Sequence, residues 1–122
     1  MAKKAPLRDR AKETIADAGL HELKLERVEA GHLDCYQRIS WEISLATSGG
    51  NTRCRLVIKG QGYDIPLAES DAPVADTLYW YKEPTWLYPG ERIALIIDQA
   101  QAATVAEMNA IGYWVPESEG IQ

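Results

Sequence analysis

Residues 33–45 have the sequence LDCYQRISWEISL, in which apolar and polar side chains largely alternate. Leu33, Cys35 and Ile39 stand at odd positions and are expected to face inward, while polar residues such as Arg38 stand at even ones. Because successive side chains of a β-strand point to opposite faces, the pattern predicts a strand with one face on a core and the other in water.

Similar period-two segments, separated by turns, continue through residues 20–116. The strongest turn signal, TSGGN at residues 47–51, predicts a hairpin that joins residues 33–45 to a strand at residues 52–59. Short antiparallel strands spaced in this way, about seven or eight in number, predict an all-β, two-sheet sandwich of the jelly-roll kind.

The amino-terminal segment is predicted to form a helix and an arm outside this sandwich. Leu7, Ala11 and Ile15 recur at helical spacing, so a short helix is expected over residues 6–18. The expected organisation is an arm at residues 1–19, the sandwich at residues 20–116 and a tail at residues 117–122.

The charge of the chain is unevenly distributed. Residues 1–12 carry five basic side chains against Asp9 alone, whereas the formal net charge of the whole chain is −5. A basic arm on an acidic body can dock on an acidic neighbouring subunit, and the alternative is a solubilising terminus without a partner. The acidic body argues against nucleic-acid binding by the domain.

Other patterns argue against membranes, metals and catalysis. No apolar run approaches the ~20 residues that cross a bilayer, and MAKKAP at residues 1–6 is not followed by an apolar signal segment, so we expect folding in a cytoplasm and no membrane partner. Cys35 and Cys54 are expected to be free core thiols rather than a disulfide. Because nucleophile–base motifs and clustered metal ligands are missing from the sequence, we expect no enzyme activity, metal or cofactor.

Aromatic residues form a cluster in the second half of the chain. Tyr79, Trp80 and Tyr81 are consecutive, Trp86 and Tyr88 follow closely, and the chain contains no Phe. Rings with a polar group suit protein interfaces and sugar-binding platforms. Strand alternation is expected to place Trp80 in the core and Tyr79 and Tyr81 on an outer surface, unless all five rings pack within the sandwich.

Several turn and strand motifs follow one another in a recognisable order. They are Ala30-Gly31, ISWEIS at residues 39–44, GNT at residues 50–52, the aromatic cluster, LYPGERI at residues 87–93 and Gly112-Tyr113. This order resembles small β-sandwich proteins in the virions of tailed bacteriophages. The resemblance implies a non-enzymatic structural protein, either a capsid decoration protein or a head or tail accessory subunit, located in the virion.

We therefore predict a partner-binding surface that combines arm and aromatic residues. Its members are Lys3, Lys4, Leu7, Arg8, Arg10, Tyr79, Tyr81, Trp86 and Tyr88. The expected partners are other virion proteins, such as major capsid, connector or tail subunits, together with further copies of this chain. The alternative function is a carbohydrate-binding module or lectin-like adhesin, in which the aromatic residues would bind a glycan.

Overall fold

Nine β-strands form two antiparallel sheets in the computed structural model, which describes residues 5–45, 52–71 and 73–119. The strands are β1 (Ala5–Thr14), β2 (Gly19–Lys24), β3 (His32–Ile43), β4 (Arg53–Lys59), β5 (Asp64–Asp71), β6 (Tyr79–Tyr81), β7 (Thr85–Leu87), β8 (Arg92–Ala100) and β9 (Val105–Pro116). A short 3-10 helix at Glu117–Glu119 follows β9.

The strand order confirms the predicted sandwich. Sheet A has the order β1-β9-β3-β6, with β7 also paired to β3, and sheet B has the order β2-β8-β4-β5. With β6 and β7 counted as one interrupted strand beside β3, this is an eight-stranded jelly roll. Consecutive strands alternate between the two sheets, except for the β4–β5 hairpin within sheet B.

The core lies between the sheets, and strand alternation determines which side chains enter it. Buried side chains in this core include Leu56 and Ile58 of β4 and Leu95 and Ile97 of β8. Each pair is two residues apart, so its members lie on the same face of their strand, as alternation predicts. Full burial of one such side chain contributes about 1.5–3 kcal/mol to stability. Ile96 is also buried, on the opposite face of β8, because β8 lies between β2 and β4.

The helix predicted over residues 6–18 is wrong, because Ala5–Thr14 forms β1 and pairs with β9 along its whole length. Leu7, Ala11 and Ile15 are four residues apart, a spacing that places side chains on one face of a helix and also on one face of a strand. A helix of this length is marginal in isolation, whereas β9 pairs with all ten residues of β1 and supplies backbone hydrogen-bond partners to alternate ones.

The hairpin predicted between residues 33–45 and 52–59 is also wrong. β3 pairs with β9, β6 and β7 in sheet A, whereas β4 pairs with β5 and β8 in sheet B. The turn itself, at residues 47–51, lies outside the described residues. A turn signal indicates only that the chain reverses, and a crossover between packed sheets needs a reversal as much as a hairpin does.

A β-bulge in β3 changes which side chains of that strand face the core. Tyr36 pairs with Gly112 and Arg38 with the preceding residue of β9, so that Gln37 has no partner in the register. Tyr36 is inward before the bulge and Ile39 is inward after it. The alternation that seemed continuous in the sequence is therefore interrupted at Gln37.

The bulge places Cys35 on the outer side of sheet A, beside Trp86 and Tyr113, and corrects its expected core position. Both cysteines are buried and free, as predicted. Cys54 does face the core, where burial raises its pKa to about 12 and keeps the thiol protonated.

Candidate functional site

The outer face of sheet A, opposite the core, combines basic, aromatic and aliphatic side chains. We call this surface the basic–aromatic face. Strand pairing and alternation place on it Arg8, Arg10 and Lys12 of β1, Arg38, Ser40 and Glu42 of β3, Trp80 of β6, Trp86 of β7, and Glu107, Asn109, Ile111 and Tyr113 of β9.

Positive charge predominates on this face, although the chain as a whole is acidic. Within the described part of the chain its one ion pair joins Arg10 to Glu107, and the hydrogen bond from Arg10 lowers the pKa of Glu107. Arg8 and Arg38 form no ion pair with a described residue. Lys82 adds a further cation, because its Nζ lies 5.6 Å from the centroid of the Trp80 ring.

Large apolar side chains are exposed beside these charges. Trp80 is 48% exposed and Ile111 is 43% exposed. Ile111 pairs with Arg38, and Trp80 pairs with Ser40 of the same strand, so both lie on this face, on opposite sides of β3. A shallow cavity of about 330 Å³ lies among Arg8, Asn109 and Ile111. Arg and aromatic side chains of this kind are enriched in protein interfaces.

The outer face of sheet B differs, because the basic residues of β4 are paired with neighbouring acids. The ion pairs of β4 join Arg53 to Glu69 and Asp71, Arg55 to Asp98, and Lys59 to Glu22. These side chains surround a small apolar cluster formed by Val57, Ala94 and Ile96. Because the charges of β4 are already paired, they attract an oppositely charged surface less than the unpaired Arg8 and Arg38 of the basic–aromatic face do.

The structure brings Arg8, Arg10 and Trp86 of the predicted surface onto the basic–aromatic face. Leu7, by contrast, packs against the core. Lys3 and Lys4 lie outside the described residues. The predicted partner-binding role of these residues remains a prediction.

The predicted orientation of the aromatic strand β6 is wrong. Tyr79 and Tyr81 pack against the core, and the ring of Tyr79 stacks on Trp41 with 6.1 Å between centroids. Trp80 points outward instead. Alternation within a three-residue strand places the two tyrosines on one side but does not show which side is the core; pairing with β3 decides that. Tyr88, in the turn after β7, is 54% exposed.

Sequence reasoning also missed Arg38 and Ile111 as members of this face. Alternation in β9 could have placed Ile111 outward, because Ala110 and Met108 face the core. Arg38 was seen to be polar, but its proximity to Arg8 depends on β9 lying between β1 and β3.

Neither a metal-ligand cluster nor a membrane-spanning helix is found among the described residues. Among them, no group of three or more His, Cys, Asp or Glu side chains could hold a metal ion. In the same ranges no helix has the length and apolar character needed to cross a membrane.

Comparisons with known proteins do not identify a family. No protein-family model and no curated protein matches the chain. Among solved structures, a chain in the structure of infectious bursal disease virus Gx strain aligns with 7% identity and a TM-score of 0.30 over 98% of this chain. The present chain covers 43% of that viral chain, less than half its length. A TM-score this low carries no argument about fold or function.

Proposed function

We propose that the protein is a non-enzymatic structural subunit of a tailed-phage virion, a capsid decoration or head or tail accessory protein. It binds an acidic surface of a neighbouring subunit through the basic–aromatic face. The observation that supports this binding mode is the unneutralised charge of Arg8 and Arg38 beside the exposed Ile111 and Trp80. The virion setting is supported by the resemblance of the turn and strand motifs.

Such a face suits binding for two physical reasons. Basic and acidic surfaces attract each other before contact and orient the encounter, which favours the correct partner over others. A paired β-sheet is rigid, so Trp80 and Arg38 are held in place before binding and little backbone entropy is lost on association. Truncating a central aromatic or Arg anchor of an interface can cost 2 kcal/mol or more, about thirtyfold in affinity.

The first experiment asks whether the chain belongs to a particle. Mass spectrometry of purified particles from the phage or prophage that encodes it should detect the protein in a fixed ratio to the major capsid subunit. Particles made without it should bind the purified protein in a saturable manner. Binding should weaken between about 0.01 M and about 1 M ionic strength, where the screening length falls from about 30 Å to about 3 Å.

Charge-reversal variants then test the face itself. The double variant Arg8→Glu and Arg38→Glu should rebind to particles at least about thirtyfold more weakly. Lys24→Glu is the matched control, because Lys24 is an exposed residue of β2 in the other sheet. Absence from particles would contradict the virion setting, and unchanged rebinding by the double variant would contradict the binding face.

The exposed ring of Trp80 also favours a second candidate, the carbohydrate-binding module. Saturable binding of the wild-type protein to a glycan array, lost in Trp80→Ala, would support that function instead. Particle binding that is reduced in Trp80→Ala without any glycan signal would support the structural subunit.

A further inference from the structure

A pocket with four acidic side chains in its lining opens at one end of the sandwich, between sheet A and the segment that follows β2. Its volume is about 250 Å³, and it is lined by residues of β1, of the segment 26–29 and of the ends of β3 and β9. Asp9 and Asp34 contribute carboxylates from sheet A, and Glu26 and Glu29 contribute them from the opposite wall. Asp9, Asp34 and Trp114 lie on the inner side of sheet A, and Arg8 of the basic–aromatic face also lines the pocket.

Asp34 is the residue that calls for an explanation. It is only 6% exposed, and its Oδ1 accepts no hydrogen bond from any described residue. Leaving a buried acceptor unsatisfied costs about 1–3 kcal/mol, and more for a charged group, so such atoms are rare in native proteins. Arg27 also lines the pocket, but its guanidinium donates to the carbonyl oxygen of Gly90 at 2.6 Å.

Asp9, His32 and Trp114 of the pocket have defined contacts. The Tyr36 hydroxyl donates to Oδ2 of Asp9 at 3.2 Å. The rings of His32 and Trp114 are stacked, with 3.8 Å between centroids and 6° between planes. Trp114 pairs with Asp34 across β9 and β3, so a flat aromatic surface and an unsatisfied carboxylate oxygen stand side by side.

We propose that this pocket binds a guanidinium group, which pairs with the Asp34 carboxylate and lies against Trp114. A guanidinium is planar and weakly hydrated, donates to carboxylates in pairs and stacks on aromatic rings, whereas an ammonium is a compact and strongly hydrated charge. The pocket is smaller than the roughly 300–1,000 Å³ of sites for drug-sized ligands, so it suits one side-chain head group or a small compound. This site does not depend on the proposed virion function.

Titration with small probes, followed by NMR of the ¹⁵N-labelled full chain, tests the proposal. Methylguanidinium should shift the indole signal of Trp114 and the amide signal of Asp34 in a saturable manner, and methylammonium should bind at least about tenfold more weakly. N-acetylarginine amide distinguishes the two sources of the group. Affinity about tenfold above that of methylguanidinium indicates an arginine side chain of another protein chain, and equal affinity indicates a free small compound.

Variants complete the test. Asp34→Asn keeps the volume of the side chain and should abolish binding, whereas Asp17→Asn, an exposed residue outside the pocket, should leave it unchanged. If Asp34→Asn does not fold, Glu29→Gln replaces it, because Glu29 lines the pocket while its side chain is 77% exposed. Glu29→Gln should weaken binding about threefold or more.

Three results would overturn the proposal. They are no saturable shift with either guanidinium probe, equal binding of methylammonium, and unchanged binding by the Asp34 or Glu29 variant.

Discussion

Replacing Gly112 with Ala should destabilise the protein strongly, because β3 and β9 approach each other closely at the bulge. A Cβ atom on Gly112 would lie 1.9 Å from the carbonyl oxygen of Cys35 and 2.9 Å from Cα of Tyr36. Carbon and oxygen atoms of neighbouring strands normally approach to about 3.3–3.6 Å. Both contacts involve backbone atoms, so no side chain can rotate away to make room.

The size of the effect follows from this geometry. The strands must separate locally by roughly 1.4 Å to restore a normal contact. Overpacking of this kind costs about 1–3 kcal/mol, and weakening one or two hydrogen bonds of the ladder costs about 1 kcal/mol each. A total of about 2–5 kcal/mol is a large fraction of the 5–15 kcal/mol that stabilises a typical domain.

Urea unfolding followed by tryptophan fluorescence measures the loss. Gly62→Ala is the control, because Gly62 has φ +85° and its added Cβ would meet nothing within 4 Å. That variant should lose only the ~1–2 kcal/mol that a left-handed conformation costs an L-residue. A loss in Gly112→Ala no larger than that of the control would refute the argument about the bulge.

Three further predictions concern the edge strand, the thiols and the buried acids. Deleting residues 1–14 removes β1 and exposes the edge of β9. Circular dichroism of this variant should therefore show no cooperative melt at the wild-type temperature, and an unchanged melt would contradict the pairing of β1 with β9. Reductant should not alter the melting temperature, because Cys35 and Cys54 are free; a lower melting temperature on reduction would instead indicate a disulfide. Cys54→Ser should lower the free energy of unfolding by about 1–3 kcal/mol, because it places a hydroxyl in an apolar site. Burial raises the pKa of Asp34 above 3.8, so the folded state binds more protons than the unfolded state, and the wild type loses stability as the pH rises. Urea unfolding between about pH 4 and pH 7 should therefore show that the stability of Asp34→Asn relative to the wild type increases with pH. A stability difference that does not change with pH would contradict the raised pKa.

The sequence by itself determined the class of fold, because alternation is a local property of each strand. Leu56 and Ile58 of β4 lie in the core as their period-two positions predict. The apolar residue Ile96 on the second face of β8 is a local signal of a central strand, and β8 lies between β2 and β4. The order of turns and strands was sufficient to predict a jelly-roll sandwich, since few architectures bury so many short amphipathic strands.

Tertiary structure alone decided where local patterns allowed two answers. Leu7, Ala11 and Ile15 fit one face of a helix or of a strand, and only the available edge of β9 selects the strand. The bulge at Gln37 and the side on which Trp80 lies depend on pairing between residues far apart in the sequence. The candidate site has the same origin. Its basic residues can be recognised in the sequence from their charge. Their position beside apolar residues on one face depends on the strand order β1-β9-β3-β6, which hydrogen bonds between distant parts of the chain determine.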